Sequence, residues 1–183
     1  MIVSSESAPA RAREGDDLPT VLLPAVLLMA SLLVWAPLHA KPEHGQNFKN
    51  WTARCEQTPG TSLERCFIFQ NLVLKESGQR VVHMAVGYLA ANGQAAAVIT
   101  MPLGISLPAG ASISVDGGDP EDIIIERCDA NGCVGAVALS EQFITALKRG
   151  REARISFHDA SRRRIAVPVS LLGFTAGFNS LDP

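Results

Sequence analysis

The residues of this chain best placed to react with one another are its four cysteines, Cys55, Cys66, Cys128 and Cys133. An even number suits two disulfides or a single metal centre. Structural zinc sites space paired thiolates two to four residues apart. Four residues lie between Cys128 and Cys133, at that limit, and ten lie between Cys55 and Cys66, well outside it. Disulfides are the stronger reading. Four cysteines allow three connectivities, of which the local one, Cys55–Cys66 with Cys128–Cys133, is preferred. Thr58-Pro59-Gly60-Thr61 and Asn131-Gly132 supply the turns it needs.

The remaining candidates read as structural. His83 and His158 have no second histidine at ligand spacing and adjoin no nucleophile motif. His39 falls in an apolar stretch and His44 in a polar one. Gly104-Ile105-Ser106-Leu107-Pro108 imitates a nucleophile elbow but lacks its final glycine and its strand-to-helix setting. Asp116, Asp119, Glu121, Asp122, Glu126 and Asp129 cluster without the ligand order of a calcium loop, so they read as a solvated acidic turn. Trp51 and Tyr88 read as core anchors.

One cationic group stands out. Lys148, Arg149, Arg151, Arg154, Arg162, Arg163 and Arg164 are offset only by Glu152 and Asp159. They are candidates for an anion-binding surface that would take phosphate, lipopolysaccharide or anionic lipid head groups. The plainer alternative is a helix C-terminus, where cations suit the helix dipole, followed by a polar hairpin loop. A third arrangement sets the acidic and basic stretches against each other in neighbouring copies. No cofactor and no metal are expected.

The chain itself divides at Ala40. Residues 18–40 contain no Asp, Glu, Lys or Arg and are rich in Leu, and Lys41 ends the run. A signal peptide with Leu38-His39-Ala40 before its cleavage point and a retained anchor both fit. Pro24 and Pro37 weaken a continuous spanning helix. The flank ahead of the run is acidic rather than basic, since Glu6, Glu14, Asp16 and Asp17 outnumber Arg11 and Arg13. All four cysteines follow the run, as an exported, oxidised domain requires. Without those flanking residues the 16 Lys+Arg and 18 Asp+Glu become 14 of each. A neutral chain gives no electrostatic ground for nucleic acid as a partner.

Past a polar linker at 41–47, short apolar segments alternate with turn residues. Strands are expected at Trp51–Cys55, Cys66–Leu74, Val81–Leu89, Gln94–Met101, Ser112–Asp116, Ile123–Cys128, Cys133–Leu139, Ala153–His158 and Ile165–Leu171. Side chains alternate across a strand, so Val82, Met84, Val86 and Tyr88 share one face, as do Ile113 and Val115. Lys75–Gln79 and Asn92-Gly93 read as hairpin turns. Glu141–Arg149 is the one helix, capped by Ser140 and stopped by Gly150. Pro168 assigns the last strand to an edge or bulge. The fold class is therefore all-β. It is an antiparallel β-sandwich or flattened barrel of about eight or nine short strands with one short helix, preceded by an N-terminal hydrophobic signal or anchor helix.

Several segments, in order, resemble blocks of the invasion-associated locus B family of alphaproteobacterial exported proteins. They are Phe48–Cys55 with its W-x-x-x-C, Cys66-Phe67-Ile68-Phe69-Gln70, Met101-Pro102-Leu103-Gly104, Glu126-Arg127-Cys128 through Gly132-Cys133, and Val169–Phe178. The resemblance spans Trp51 to Leu181. It implies an envelope protein, periplasmic or membrane-associated, with structural disulfides and no enzymatic activity, linked in pathogenic relatives to host-cell invasion. The expected organisation is a signal or anchor at 1–40, the linker at 41–47 and one domain at 48–183. The expected partner is an envelope protein or an anionic envelope component, with membrane contact through residues 18–40 if they are retained. Two rival functions remain. One is a metal-dependent enzyme, which needs His83, His158 and the acidic turn to converge. The other is an assembly factor, which needs a long open strand edge.

Overall fold

A computed structural model describes residues 41–181 apart from 58–59, 61–62, 74–77, 79 and 90–91. The apolar run at 18–40 and most of the turn residues expected at 58–61 and 75–79 lie outside the described residues. Ten strands follow one another: β1 (Asn47–Phe48), β2 (Trp51–Gln57), β3 (Glu64–Val73), β4 (Arg80–Tyr88), β5 (Ala95–Met101), β6 (Ala111–Val115), β7 (Glu121–Asp129), β8 (Gly132–Ala138), β9 (Glu152–His158) and β10 (Arg164–Ser170). Helix α1 (Glu141–Arg149) lies between β8 and β9, and helix α2 (Phe174–Asn179) follows β10.

The strands form one sheet in the order β1-β2-β3-β4-β5-β8-β7-β6-β9-β10, every ladder antiparallel. The antiparallel all-β expectation holds in its flattened-barrel form, with β1 and α2 added. Strand β7 explains how one sheet encloses a core. Its first residues, Glu121 to Ile123, pair with β6, while Ile124 to Asp129 pair with β8, with a register shift between Ile125 and Arg127. Such a bulge bends and twists a strand, so β7 is the corner where the sheet turns over.

The inner face follows from alternation. Val82, Met84 and Val86 are buried on β4, and Ala111, Ile113 and Val115 on β6, as their spacing predicts. Trp51, Ile68, Ile99, Ile155 and Phe157 complete the centre with Phe174 of α2. The Trp51 ring meets Phe174 edge-on at 5.2 Å. Its indole N–H is satisfied inside this apolar setting by the Ser170 carbonyl at 2.9 Å. On α1 the Ser140 hydroxyl accepts from the Phe143 N–H, and Phe143 and Leu147 are buried.

The two ends of the sheet meet through side chains rather than a ladder. Gln70 of β3 is buried. Its amide donates to the Asn50 carbonyl (3.0 Å) and the Ser170 carbonyl (3.1 Å). The Ser170 N–H donates back to its Oε1 at 3.2 Å. One backbone bond, Asn50 N–H to the Leu172 carbonyl, completes the clasp. Gly173 then turns the chain into α2 at φ 93°, where a Cβ would fall on the Phe48 carbonyl.

Residues 41–47, expected as a linker, dock against β2: the Gly45 N–H donates to the Ala53 carbonyl and the Ala53 N–H to the Gln46 carbonyl. The His44 ring sits on the Cys55 backbone. On β10 the Ser170 N–H and carbonyl face away from β9, so Pro168, Ala166 and Arg164 share that outward orientation. Pro168 has no N–H to offer. On β10 this leaves Arg164–Ala166 as the open part of the edge, a short one for lending a strand.

Candidate functional site

Both local disulfides are formed, Cys55–Cys66 and Cys128–Cys133. In each case the two residues are directly opposed on neighbouring strands, β2 with β3 and β7 with β8. The Cys55 N–H points to His44 rather than to β3, so Cys55 and Cys66 occupy a non-hydrogen-bonded pair, where facing side chains come closest.

The three parts of the enzyme reading do not converge: His158 shares a cleft with Asp122, but His83 lies elsewhere on the sheet. His83 lies on β4 and His158 on β9, with four strands between them in the sheet. The His83 Nδ1 bonds the Asn71 Oδ1 at 2.8 Å, and its ring rests 5.4 Å from that of Phe69. Burial, then the charges of Arg80 and Arg54, hold its pKa below the ordinary value. The Asp116 carboxylate accepts the backbone N–H groups of Arg151 and Glu152. Those bonds, Arg151's first, hold its pKa below the usual carboxylate value. It therefore staples the β6–β7 turn to the start of β9. Among the described residues no three His, Cys, Asp or Glu side chains are grouped to hold a metal.

Six of the seven cations divide into two groups, and Arg154 lies on β9 between them. Lys148, Arg149 and Arg151 lie at the end of α1, and Arg162, Arg163 and Arg164 in and after the β9–β10 turn. The seven-residue β9 lies between them, about 20 Å of strand. Lys148 stands 5.0 Å from the Phe178 ring. Arg154 pairs with Glu152 at 2.6 Å and Arg163 with Asp159 at 2.7 Å. Asp159 also accepts the Ser161 and Arg163 N–H groups, and the bond from the Arg163 N–H leads the causes of its lowered pKa. Arg164 alone of the seven reaches a buried group of the sheet, donating from Nη2 to the Ser156 Oγ at 3.1 Å.

Two outward surfaces emerge instead. The first is apolar. Register places Phe69, Ala85, Val98, Ala136 and Ile124 in one row across β3, β4, β5, β8 and β7. The adjoining row carries Phe67, Gly87, Ala96 and Ala138. A Cβ on Gly87 would stand 2.9 Å from the Phe67 Cβ, so the glycine lets Phe67 lie across it. Ile124 is 72% exposed and Val98 37%. A groove of about 300 Å³ runs here between Phe67, His83, Gly87, Leu89 and Val98. Tyr88 closes its end, its phenol pKa pushed up by burial. Tyr88 also lines a neighbouring cavity with Lys41, Pro42 and Cys66, so the chain enters the domain beside the apolar face.

The second surface is a polar cleft of about 660 Å³ over β7, β6 and β9, lined by Ser112, Asp122, Ser156, His158 and Arg164. Alternation along the strands sets Ser112 on the face away from Ile113, and Ser156 with His158 on the face away from Ile155 and Phe157. It leaves Asp122 and Arg164 in separate charge clusters, because strand pairing alone brings them together.

A model of the family described as invasion associated locus B (IalB) protein matches residues 51–182. An invasion protein B homolog of Brucella abortus (strain 2308) is 26% identical over 138 residues, which cover 75% of this chain and 78% of the homolog. A homolog from B. abortus biovar 1 (strain 9-941) matches to the same extent. The crystal structure of invasion associated protein B from Bartonella henselae superposes with a TM-score of 0.64 at 23% identity, covering 72% of this chain and 89% of that one.

Proposed function

Because this chain belongs to the invasion associated locus B family, we propose that it is an exported, noncatalytic envelope protein that lies on a bilayer surface through the apolar face of β3, β4, β5, β8 and β7. The observation that carries the reading is the position of Lys41. The uncharged run 18–40 ends there, and Lys41 and Pro42 line a cavity with Tyr88, which also bounds the apolar groove. Lys41 is thereby close to the groove of Phe67, Leu89 and Val98. An apolar surface gains about 25 cal/mol for each Å² it removes from water. Two cross-strand disulfides suit an oxidising compartment. The noncatalytic reading is supported by the separation of His83 from His158 and by the engagement of Asp116 with backbone N–H groups.

Fractionation of the native host with intact-mass measurement tests export. The expected result is an envelope fraction with no thiol open to alkylation. A cytoplasmic product with free thiols overturns it. Flotation of the purified full chain with lipid vesicles tests the face. The Val98→Asp/Ile124→Asp variant should float markedly less while melting at the same temperature, and unchanged flotation overturns the assignment.

A further inference from the structure

The polar cleft on the other half of the sheet is a separate matter, and its chemistry does not depend on bilayer docking. Ser112 of β6 is the register partner of Asp122 on β7 and of Ser156 on β9. His158 is the partner of Arg164 on β10. Directly opposed side chains stand about 4.5–5.5 Å apart at Cβ. Asp122, Ser112 and Ser156 therefore form a row two strand spacings long, with the Arg164 guanidinium held over its far end by the Ser156 hydroxyl.

Asp122 and Arg164 are both exposed. Among the described residues neither has an ion-pair partner, although Arg154, Arg163 and Arg127 nearby on the sheet all do. Charges separated by the row attract only weakly across water, so each is left available to a ligand. Between them lie two hydroxyls, of Ser112 and of the buried Ser156. The His158 Nδ1 is closed off from solvent with no partner, so any polar contact of that ring with a ligand falls to Nε2.

From this juxtaposition we infer that the cleft binds a small zwitterion, with an ammonium group against Asp122 and a carboxylate or phosphate against Arg164. The row length leaves room for ligand charges roughly 4–7 Å apart. Ser112 and Ser156 lie under the middle of such a ligand and serve as hydroxyl donors and acceptors. The Arg164 fork matches a carboxylate or phosphate in two-point contact. The shared chemistry is the paired charge. A short peptide with free ends and a phosphoethanolamine unit both carry it.

Titration of the purified full chain with glycylglycine and with O-phosphoethanolamine, followed by amide chemical shifts, tests the assignment. Saturable shifts centred on Ser112, Ser156 and His158 are expected with at least one probe, and the tighter of the two identifies the anion. Acetate, inorganic phosphate and ethylamine should each bind about tenfold more weakly or worse. Asp122→Asn and Arg164→Gln should each weaken the zwitterion by about tenfold while leaving the melting temperature and the flotation with vesicles unchanged. The inference is overturned if neither zwitterion shifts these residues, if inorganic phosphate binds as tightly as phosphoethanolamine, or if Asp122→Asn leaves the affinity as it was.

Discussion

Replacing Gln70 by alanine should open the seam where the sheet meets itself. Three hydrogen bonds end on that side chain, at 3.0, 3.1 and 3.2 Å. The Ser170 carbonyl would keep the Trp51 indole as a donor, but the Asn50 carbonyl and the Ser170 N–H would lose theirs. A typical hydrogen bond is worth about 1 kcal/mol net, and an orphaned buried group costs about 1–3 kcal/mol. The expected loss is about 3 kcal/mol. For a protein of this size each kcal/mol moves the midpoint by about 2–4 °C, so the melting temperature should fall by roughly 6–12 °C. Urea unfolding followed by tryptophan fluorescence measures this directly, because Trp51 bonds the same Ser170 carbonyl. Ser170→Ala is the control. It removes an Oγ that, among the described residues, bonds only the exposed Leu172 N–H and should cost under about 1 kcal/mol. A Gln70→Ala variant within about 0.5 kcal/mol of the parent, at unchanged slope, would refute the view that this side chain closes the sheet.

Four further outcomes are expected. Removing the Cys55–Cys66 bridge by double substitution to alanine should cost about 3 kcal/mol and removing Cys128–Cys133 about 2 kcal/mol, scaled to sequence separations of 11 and 5; denaturant melts with mass spectrometry distinguish the two. Gly173→Ala and Gly173→Asn should both prevent folding, judged by loss of near-ultraviolet dichroism. Asn tolerates positive φ yet still carries the Cβ that meets the Phe48 carbonyl. Asp116 has a folded pKa lowered from 3.8 by the Arg151 and Glu152 N–H groups. Its contribution is therefore present above pH 3.8 and lost as pH falls through the folded value, so Asp116→Asn should flatten the acid limb of stability against pH. His83 has a folded pKa lowered from 6.5 by burial and by Arg80 and Arg54. The unfolded chain takes up its proton first, stability falls as pH drops below 6.5 toward the folded value, and His83→Gln should remove that slope.

Local signals were legible in the residues themselves. Alternation fixed the inner face of β4 and β6, Ser140 marked the start of α1, and short spacings with turn residues between them paired the cysteines. What alternation cannot supply is which strand lies beside which. The crossover that places β8 beside β5 and β6 beside β9 depends on long-range pairing, and the polar cleft exists only because of it. Asp122 and Arg164 read as members of opposite charge runs until β6 and β9 bring Ser112 and Ser156 between them. The apolar outer face had a fainter trace. Phe67 and Phe69 flank Ile68, and Ala96 and Val98 flank Ala97, so β3 and β5 are apolar on both faces rather than one. His44 sat in a stretch read as linker because one imidazole that caps a strand backbone has no sequence signature.

The blunted β10 rim of the sheet has a consequence for how this protein keeps company. A bare strand at the end of a sheet would let one molecule seed a filament of its copies. At the β10 end the missing amide hydrogen of Pro168, with the Gln70 side chain beyond it, leaves a stretch too short to grow from. That rim therefore turns copies of the protein away from end-on growth.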